Sequence, residues 1–265
     1  MPCLPYELVE SIIDFLHDNP EALKQCSLVS KSWAFDFARP RLFNHIHFKH
    51  REHLDAWKKN FMGSKTSPAI YTHSLCFHNA KWVPGEDIYW IRSFTKVKQL
   101  EIVTGMDLAE GFGPTASLVP FRSLSSVAKV RSLCLGWDVL PLYEVFDLIC
   151  SFPLENLHII GNGRIVGPDN LSSVAHSSRL LGMTGTLVLE PERPNIAQEL
   201  SELPFGLQFR KIVHKHNAVT FKDTSGIIQR LVEKCADTLE SIEIRICTFA
   251  KSFEPLRQVL NFRLQ

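Results

Sequence analysis

The 265-residue chain is 45% hydrophobic and 22% charged, the make-up of a globular protein that can bury its core without disulfide staples. Its 29 basic and 28 acidic residues leave a net charge of +1, which excludes a global field able to draw in nucleic acid or an anionic membrane. Seven cysteines, odd in number, widely spaced and without a C-x-x-C pair, argue against a disulfide framework or a zinc ribbon and for a reducing compartment, cytoplasm or nucleus.

The run Met1-Pro2-Cys3-Leu4-Pro5-Tyr6-Glu7 has neither a basic start nor a clean apolar core, so no signal peptide is expected. No stretch of about 18 apolar residues predicts a membrane span. Residues 4–17 read as an amphipathic helix, with Pro5 at the first position, where a missing N–H costs nothing. At about 100° per residue, Leu4, Leu8, Val9, Ile12, Ile13, Phe15 and Leu16 share one arc, and Glu7, Glu10 and Asp14 lie opposite. The arc takes about half the circumference, against the ~100° stripe of an ordinary surface helix, so this helix needs more than one neighbour.

Asn19-Pro20-Glu21 supplies a cap, a first-turn proline and a first-turn acid for a second helix carrying Leu23, Cys26, Leu28 and Val29. Ser30 caps a third helix through Trp33, Phe35 and Phe37, and Pro40 is expected to stop it by disfavouring helix in the residue before it. Asn44 to Lys49 alternates like a strand. Three short helices in about 45 residues sit near the limit for a self-sufficient core. Their surplus apolar surface is covered either by residues 50–265 or by a partner protein, and the pattern alone leaves both open.

The residues that carry a resemblance are Leu4-Pro5-x-Glu7-Leu8, then Ile12, Ile13 and Leu16, then Cys26-Ser27-Leu28-Val29-Ser30-Lys31-x-Trp33, with Arg41-Leu42-Phe43 behind them. In this order and spacing the segment 1–48 resembles an F-box, similar to those of fungal F-box proteins. The resemblance implies a helical unit that docks on a Skp1-type adaptor and through it on a cullin. By position it implies Leu4, Pro5, Leu8, Ile12, Leu28, Val29 and Trp33 as the Skp1-contacting residues, with Ile13 and Leu16 as candidates for holding the helices together.

Residues 49–69 read as a connecting helix, with Leu54, Trp57 and Phe61 at helical spacing, followed by a short polar break. From 70 to 265 a pattern of the form L-x-x-L-x-L recurs, clearest at Val97–Ile102, Val130–Leu135, Leu154–Ile159 and Leu239–Ile244. Anchors at Leu75, Leu100, Leu133, Leu157, Leu187, Ile212 and Ile242 lie 25, 33, 24, 30, 25 and 30 residues apart. Helix-like pieces at 87–94, 143–152, 170–176, 196–203 and 226–236 fall between them. One strand and one helix per 24–33 residues predicts an α/β solenoid with a parallel sheet, resembling an irregular leucine-rich repeat, in which anchors point inward and alternate residues outward. The outward positions include Gln99 and Glu101, Asn156 and His158, Lys211, and Ser241, Glu243 and Arg245. Their mixed chemistry suits recognition of an unidentified target protein more than of a phosphate backbone. No polar cap is evident at the C-terminal end, where a helix-like run precedes Phe262.

Signals of catalysis are weak. Gly161-Asn162-Gly163-Arg164-Ile165-Val166-Gly167 has its third glycine one place late for a dinucleotide loop and reads as a repeat turn. His45, His47, His50 and His53 resemble a metal cluster, but no cysteine or fixed acid completes the set at ligand spacing along the chain, and they read as exposed histidines. His214 and His216 read likewise. No G-x-S-x-G elbow, P-loop or H-E-x-x-H motif occurs. The expectation is therefore a non-enzymatic substrate-recognition adaptor of an SCF-type ubiquitin ligase, without catalytic residues, cofactor, metal, nucleic acid or membrane. The alternative is an interaction module, Skp1-binding or purely structural, with no ligase role.

Overall fold

Parallel strands need crossovers of a dozen or more residues, and the spacing between successive anchors supplies them. A computed structural model describes residues 4–16, 18–64, 66–78, 88–103, 118–136, 139–140, 142–160, 164–165, 184–190, 198, 200, 207–217, 221–248 and 256–263. Among them the chain is mixed α/β, with helices α1 (Tyr6–Phe15), α2 (Pro20–Val29), α3 (Arg39–Leu42), α4 (Arg51–Phe61), α5 (Val119–Arg122), α6 (Leu142–Ser151) and α7 (Phe221–Lys234). The principal sheet takes β1 (His45–Phe48), β2 (Ser74–His78), β3 (Gln99–Val103), β4 (Ser132–Gly136), β6 (Asn156–Ile160), β8 (Thr186–Glu190), β9 (Lys211–Asn217), β10 (Ser241–Thr248) and β11 (Leu256–Arg263) in chain order. A minor parallel pair, β5 (Val139–Leu140) and β7 (Arg164–Ile165), holds part of the glycine-containing turn. No described helix is long and apolar enough to cross a membrane.

β1 to β10 of the principal sheet run parallel, and their register puts the anchors in one row: Ile46, Leu75, Leu100, Leu133, Leu157, Leu187, Ile212 and Ile242. Two residues on, Phe48, Phe77, Ile102, Leu135, Ile159, Leu189, His214 and Ile244 form a second inward row. From Leu75 to Ile212 every anchor is 0–1% exposed, so each contributes about 1.5–3 kcal/mol of burial. Trp57, Phe94, Phe121, Phe146, Phe152 and Leu231, on the crossovers, close over these rows. Towards β1 the core is aromatic: Phe48 stacks on Phe77 at 5.2 Å between ring centroids and meets Trp57 at 5.8 Å.

A backbone motif recurs with the side chains. At six of the seven entries from β2 to β10, two consecutive N–H groups donate to one carbonyl in the preceding repeat. His73 and Ser74 donate to Asn44, Lys98 and Gln99 to His73, Arg131 and Ser132 to Lys98, and so on to Glu240 and Ser241 on Arg210, all at 2.7–3.2 Å. The exception is the entry to β8. There Gly185 donates to Glu155, and the second donor, the Thr186 N–H, goes to Asn156 Oδ1 at 2.8 Å. A Cβ on Gly185 would stand 2.5 Å from that oxygen and 2.6 Å from the Glu155 carbonyl, which is why the position takes glycine.

The first forty residues form a second, smaller cluster of Val9, Ile13, Leu23, Phe37 and Ala38, with Leu16, Cys26, Trp33 and Leu42 packed against it. Asn19 Oδ1 caps α2 by accepting from the Ala22 N–H at 3.0 Å, and Ser30 Oγ accepts from the Trp33 N–H at 3.2 Å. Arg41 donates through Nε and Nη2 to Asp14 Oδ1 at 2.8 and 2.6 Å and ties the third helix to α1. Phe43 then leaves the cluster to pack edge-on against Trp57 and Phe61 of the main core.

Several expectations are corrected. Pro5 precedes α1 as its cap residue instead of opening it. Pro40 does not stop the third helix, which runs on to Leu42. The turns Trp33–Ala38 are π-helical and the Arg39 N–H reaches back to the Ala34 carbonyl, so the hydrogen-bond register has already slipped by one where proline lacks a donor. Among the described residues 88–94 of the piece expected at 87–94 there is a single 3-10 turn, Ile91–Ser93, and α7 starts five residues before the expected 226. The pieces at 170–176 and, save for two helical residues, 196–203 lie outside the described residues. The run before Phe262 is strand β11, antiparallel to β10, although its apolar residues are spaced like a helix. An open β10 edge would leave a row of N–H and C=O groups unpaired, and that demand overrides local periodicity.

Gly185→Ala is expected to lower stability by about 1–3 kcal/mol, the cost of forcing a methyl group into a filled backbone site. Urea denaturation of the two proteins measures it.

Candidate functional site

Two surfaces are candidates. On α1, Leu8, Ile12 and Phe15 follow one another at steps of 4 and 3 residues and form one stripe, which Leu4, just before the helix, extends. Val9 and Ile13, on the neighbouring stripe, are buried in the small cluster. Leu28 and Val29 end α2. These six apolar side chains of the helical unit keep 40–87% of their surface exposed, and Pro5 is exposed beside them. Trp33 is half-buried against the small cluster, so it supports the unit as well as edging its surface. Phe15, the most exposed of the set, lies on the helical arc read from the sequence but is not among the positions taken from the F-box resemblance.

The second surface is the outer face of the sheet. One row there holds Gln99, Ser132 and Asn156, with Lys211 and Ser241 further on. The next holds His47, Cys76, Glu101, Cys134, His158, Val188, Val213 and Glu243. The expected target-binding positions Gln99, Glu101, Asn156, His158, Lys211, Ser241, Glu243 and Arg245 therefore share this face. They are not equally available. Asn156 is engaged with the Thr186 N–H, and Glu243 is 7% exposed, clamped by Lys211 Nζ at 2.8 Å and Arg245 Nε at 2.5 Å. Those two cations hold the Glu243 carboxyl down at about 2, Arg245 acting most strongly.

A second acid, Glu190, accepts from His158 Nε2 at 2.8 Å and from Lys215 Nζ. Burial works to raise its pKa, but Lys215 and His158 outweigh it and hold the carboxyl below its ordinary range. On the other side His158 Nδ1 lies 3.7 Å from Cys134 Sγ. Cys134, His158 and Glu190 thus stand in the thiol–imidazole–carboxylate order of a nucleophilic triad. The chemistry of activation is lacking: burial, then the Glu101 and Glu190 charges, push the Cys134 thiol up to about 12, where a reactive thiol needs an electropositive setting that lowers it. The strands on either side also commit neighbouring N–H groups to the ladder instead of to an oxyanion.

The four-histidine grouping does not form as the chain order suggested. His50 and His53 pair with each other at 5.4 Å between ring centroids, at the start of α4. His47 instead meets His78 edge-on at 4.2 Å, with Cys76 between their strand positions. Ligand atoms of His47, Cys76 and His78 all lie within 4.8 Å of one another, and His78 Nε2 is 3.8 Å from Glu101 Oε1. The sheet thus brings Cys76 beside His47 and His78, with Glu101 next to His78, a grouping that ligand spacing along the chain does not show. The signal for it was in the sequence: Ile46-His47-Phe48 repeats the spacing of Leu75-Cys76-Phe77 and Leu100-Glu101-Ile102, so the central residues occupy equivalent places in adjacent repeats.

No protein-family model matches the chain, and no curated protein or solved structure matches it.

The Glu243 clamp has a pH consequence. A carboxyl held at about 2 in the folded chain and near 4.5 when unfolded contributes stability that is complete above pH 4.5 and is lost as pH falls towards 2. Glu243→Gln is expected to flatten the fall of the urea midpoint across this window while the wild type retains it.

Proposed function

We propose that this chain is a substrate-recognition adaptor of an SCF-type ubiquitin ligase. Its N-terminal helices, read as an F-box, bind a Skp1-type protein, and the outer face of its sheet, read as an irregular leucine-rich repeat, holds a target protein. The observation that carries the reading is the exposed apolar set Leu4, Pro5, Leu8, Ile12, Leu28 and Val29. A small helical unit with its own core leaves these side chains in water at the positions the F-box resemblance assigns to the partner. The described residues among 50–265 do not cover them, which favours the partner over the self-covering alternative left open by the sequence.

The repeat reading is supported by the single anchor row and by the recurrent pair of hydrogen bonds at the strand entries, which a chance occurrence of L-x-x-L-x-L would not produce. The mixed polar face, with both acids and bases and a net charge near zero for the whole chain, suits a protein surface. Such an adaptor needs no nucleophile of its own. It accelerates ubiquitin transfer by holding a target close to the conjugating enzyme's thioester.

The double variant Leu4→Ala, Pro5→Ala is expected to weaken binding of purified Skp1 by about 2 kcal/mol or more, as central interface anchors do, with an unchanged urea midpoint because both residues are exposed. Isothermal titration checks it, and unaltered affinity in a folded double variant refutes the docking surface. Co-purification of Skp1 without a cullin would favour the module lacking a ligase role.

A further inference from the structure

We propose that His47, Cys76, His78 and Glu101 form a binding site for a divalent transition metal of the zinc type on the outer face of the sheet, across β1, β2 and β3. The site does not depend on the adaptor reading. Strand pairing fixes its frame: His47, Cys76 and Glu101 are direct neighbours in one row, and His78 follows Cys76 by two residues on the same face. Strand pairing therefore brings two imidazoles and a thiol together, with a carboxylate from the third strand beside His78, from segments too far apart in sequence to show ligand spacing.

The geometry is close to what a tetrahedral ion requires. Zinc holds nitrogen at about 2.0–2.1 Å and sulfur at about 2.3 Å, which sets ligand atoms about 3.3–3.6 Å apart. The three donors here lie within 4.8 Å of one another, so side-chain rotations that move each donor by about 1 Å close the set, with Glu101 as fourth ligand through its approach to His78. The donor chemistry selects the ion. Calcium and magnesium take oxygen ligands, whereas imidazole and thiolate with one carboxylate suit zinc and its neighbours.

A second observation points to a ligand. His47 Nε2 is buried and has no hydrogen-bond partner among the described residues, a state that is costly for a polar atom unless something satisfies it. Metal binding would take the lone pair of a His47 ring nitrogen, and Cys76 would bind as its thiolate, the Sγ proton leaving to solvent as the metal–sulfur bond forms. The ion would clip the edge strand β1 to β2 and β3 on the face opposite the Phe48–Phe77 stack.

The test is a cobalt(II) titration of the full chain after chelation. The expected result is a thiolate-to-cobalt charge-transfer band with intense tetrahedral d–d bands, saturating at one ion per chain and lost when zinc(II) is added. Cys76→Ser and His78→Ala are each expected to abolish the band, whereas Cys26→Ser, Cys134→Ser and His50→Ala retain it. Zinc is expected to raise the melting temperature of the wild type and not that of His78→Ala. His78 is exposed, so its variant decides the matter even where Cys76→Ser disturbs folding. The proposal is overturned if the wild type gives no thiolate band, if the band survives His78→Ala, or if it depends on Cys134 and not on Cys76.

Discussion

The row of anchors from Ile46 to Ile242 is the constraint on which the rest of this structure depends. Strand side chains alternate, so a register shift of one residue anywhere along the row would turn leucines to water and Glu101, His158 or Glu243 into the core. Two devices prevent it. Each anchor fills the space beside the last, and each strand entry hangs two N–H groups on one carbonyl of the preceding repeat. Where the second bond is diverted, at β8, Asn156 replaces the carbonyl with its own side chain and Gly185 yields the room.

The outer face inherits its chemistry from this register. Charges on it are organised round two acids, Glu190 with His158 and Lys215, and Glu243 with Lys211 and Arg245. Glu190 sits between side chains of its two adjacent strands, and Glu243 between one of an adjacent strand and one of its own, so the contacts tie repeats together as well as shaping the surface. The same alignment brings Cys134 against His158 without activating it, and His47 against His78 and Cys76. A repeat architecture makes such clusters readily, because equivalent positions of successive units are always neighbours.

The helical unit obeys a different economy. Its cluster of Val9, Ile13, Leu23, Phe37 and Ala38 takes only one stripe of α1, and the second stripe, Leu8-Ile12-Phe15, stays in water with Leu4 before it. A helix with an apolar arc about half its circumference wide cannot be satisfied by two short neighbours. Phe43 links this unit to the sheet by packing on Trp57 and Phe61, while leaving that stripe open.

Much of this was legible in the chain itself. Spacing located the anchors, alternation assigned their faces, and Asn19 and Ser30 announced their caps, because each of these depends on a few consecutive residues. The third helix passed through Pro40 because a slipped hydrogen-bond register, invisible in the residue pattern, had prepared its place. The last strand formed because β10 offered an open edge, not because residues 256–263 demanded it. Likewise His47, Cys76 and Glu101 come from three separate segments and mean little until the sheet sets them side by side. Local sequence determined the period and the faces of each element; only pairing between distant segments decided which residues meet, since that depends on hydrogen bonds and packing that no short stretch contains.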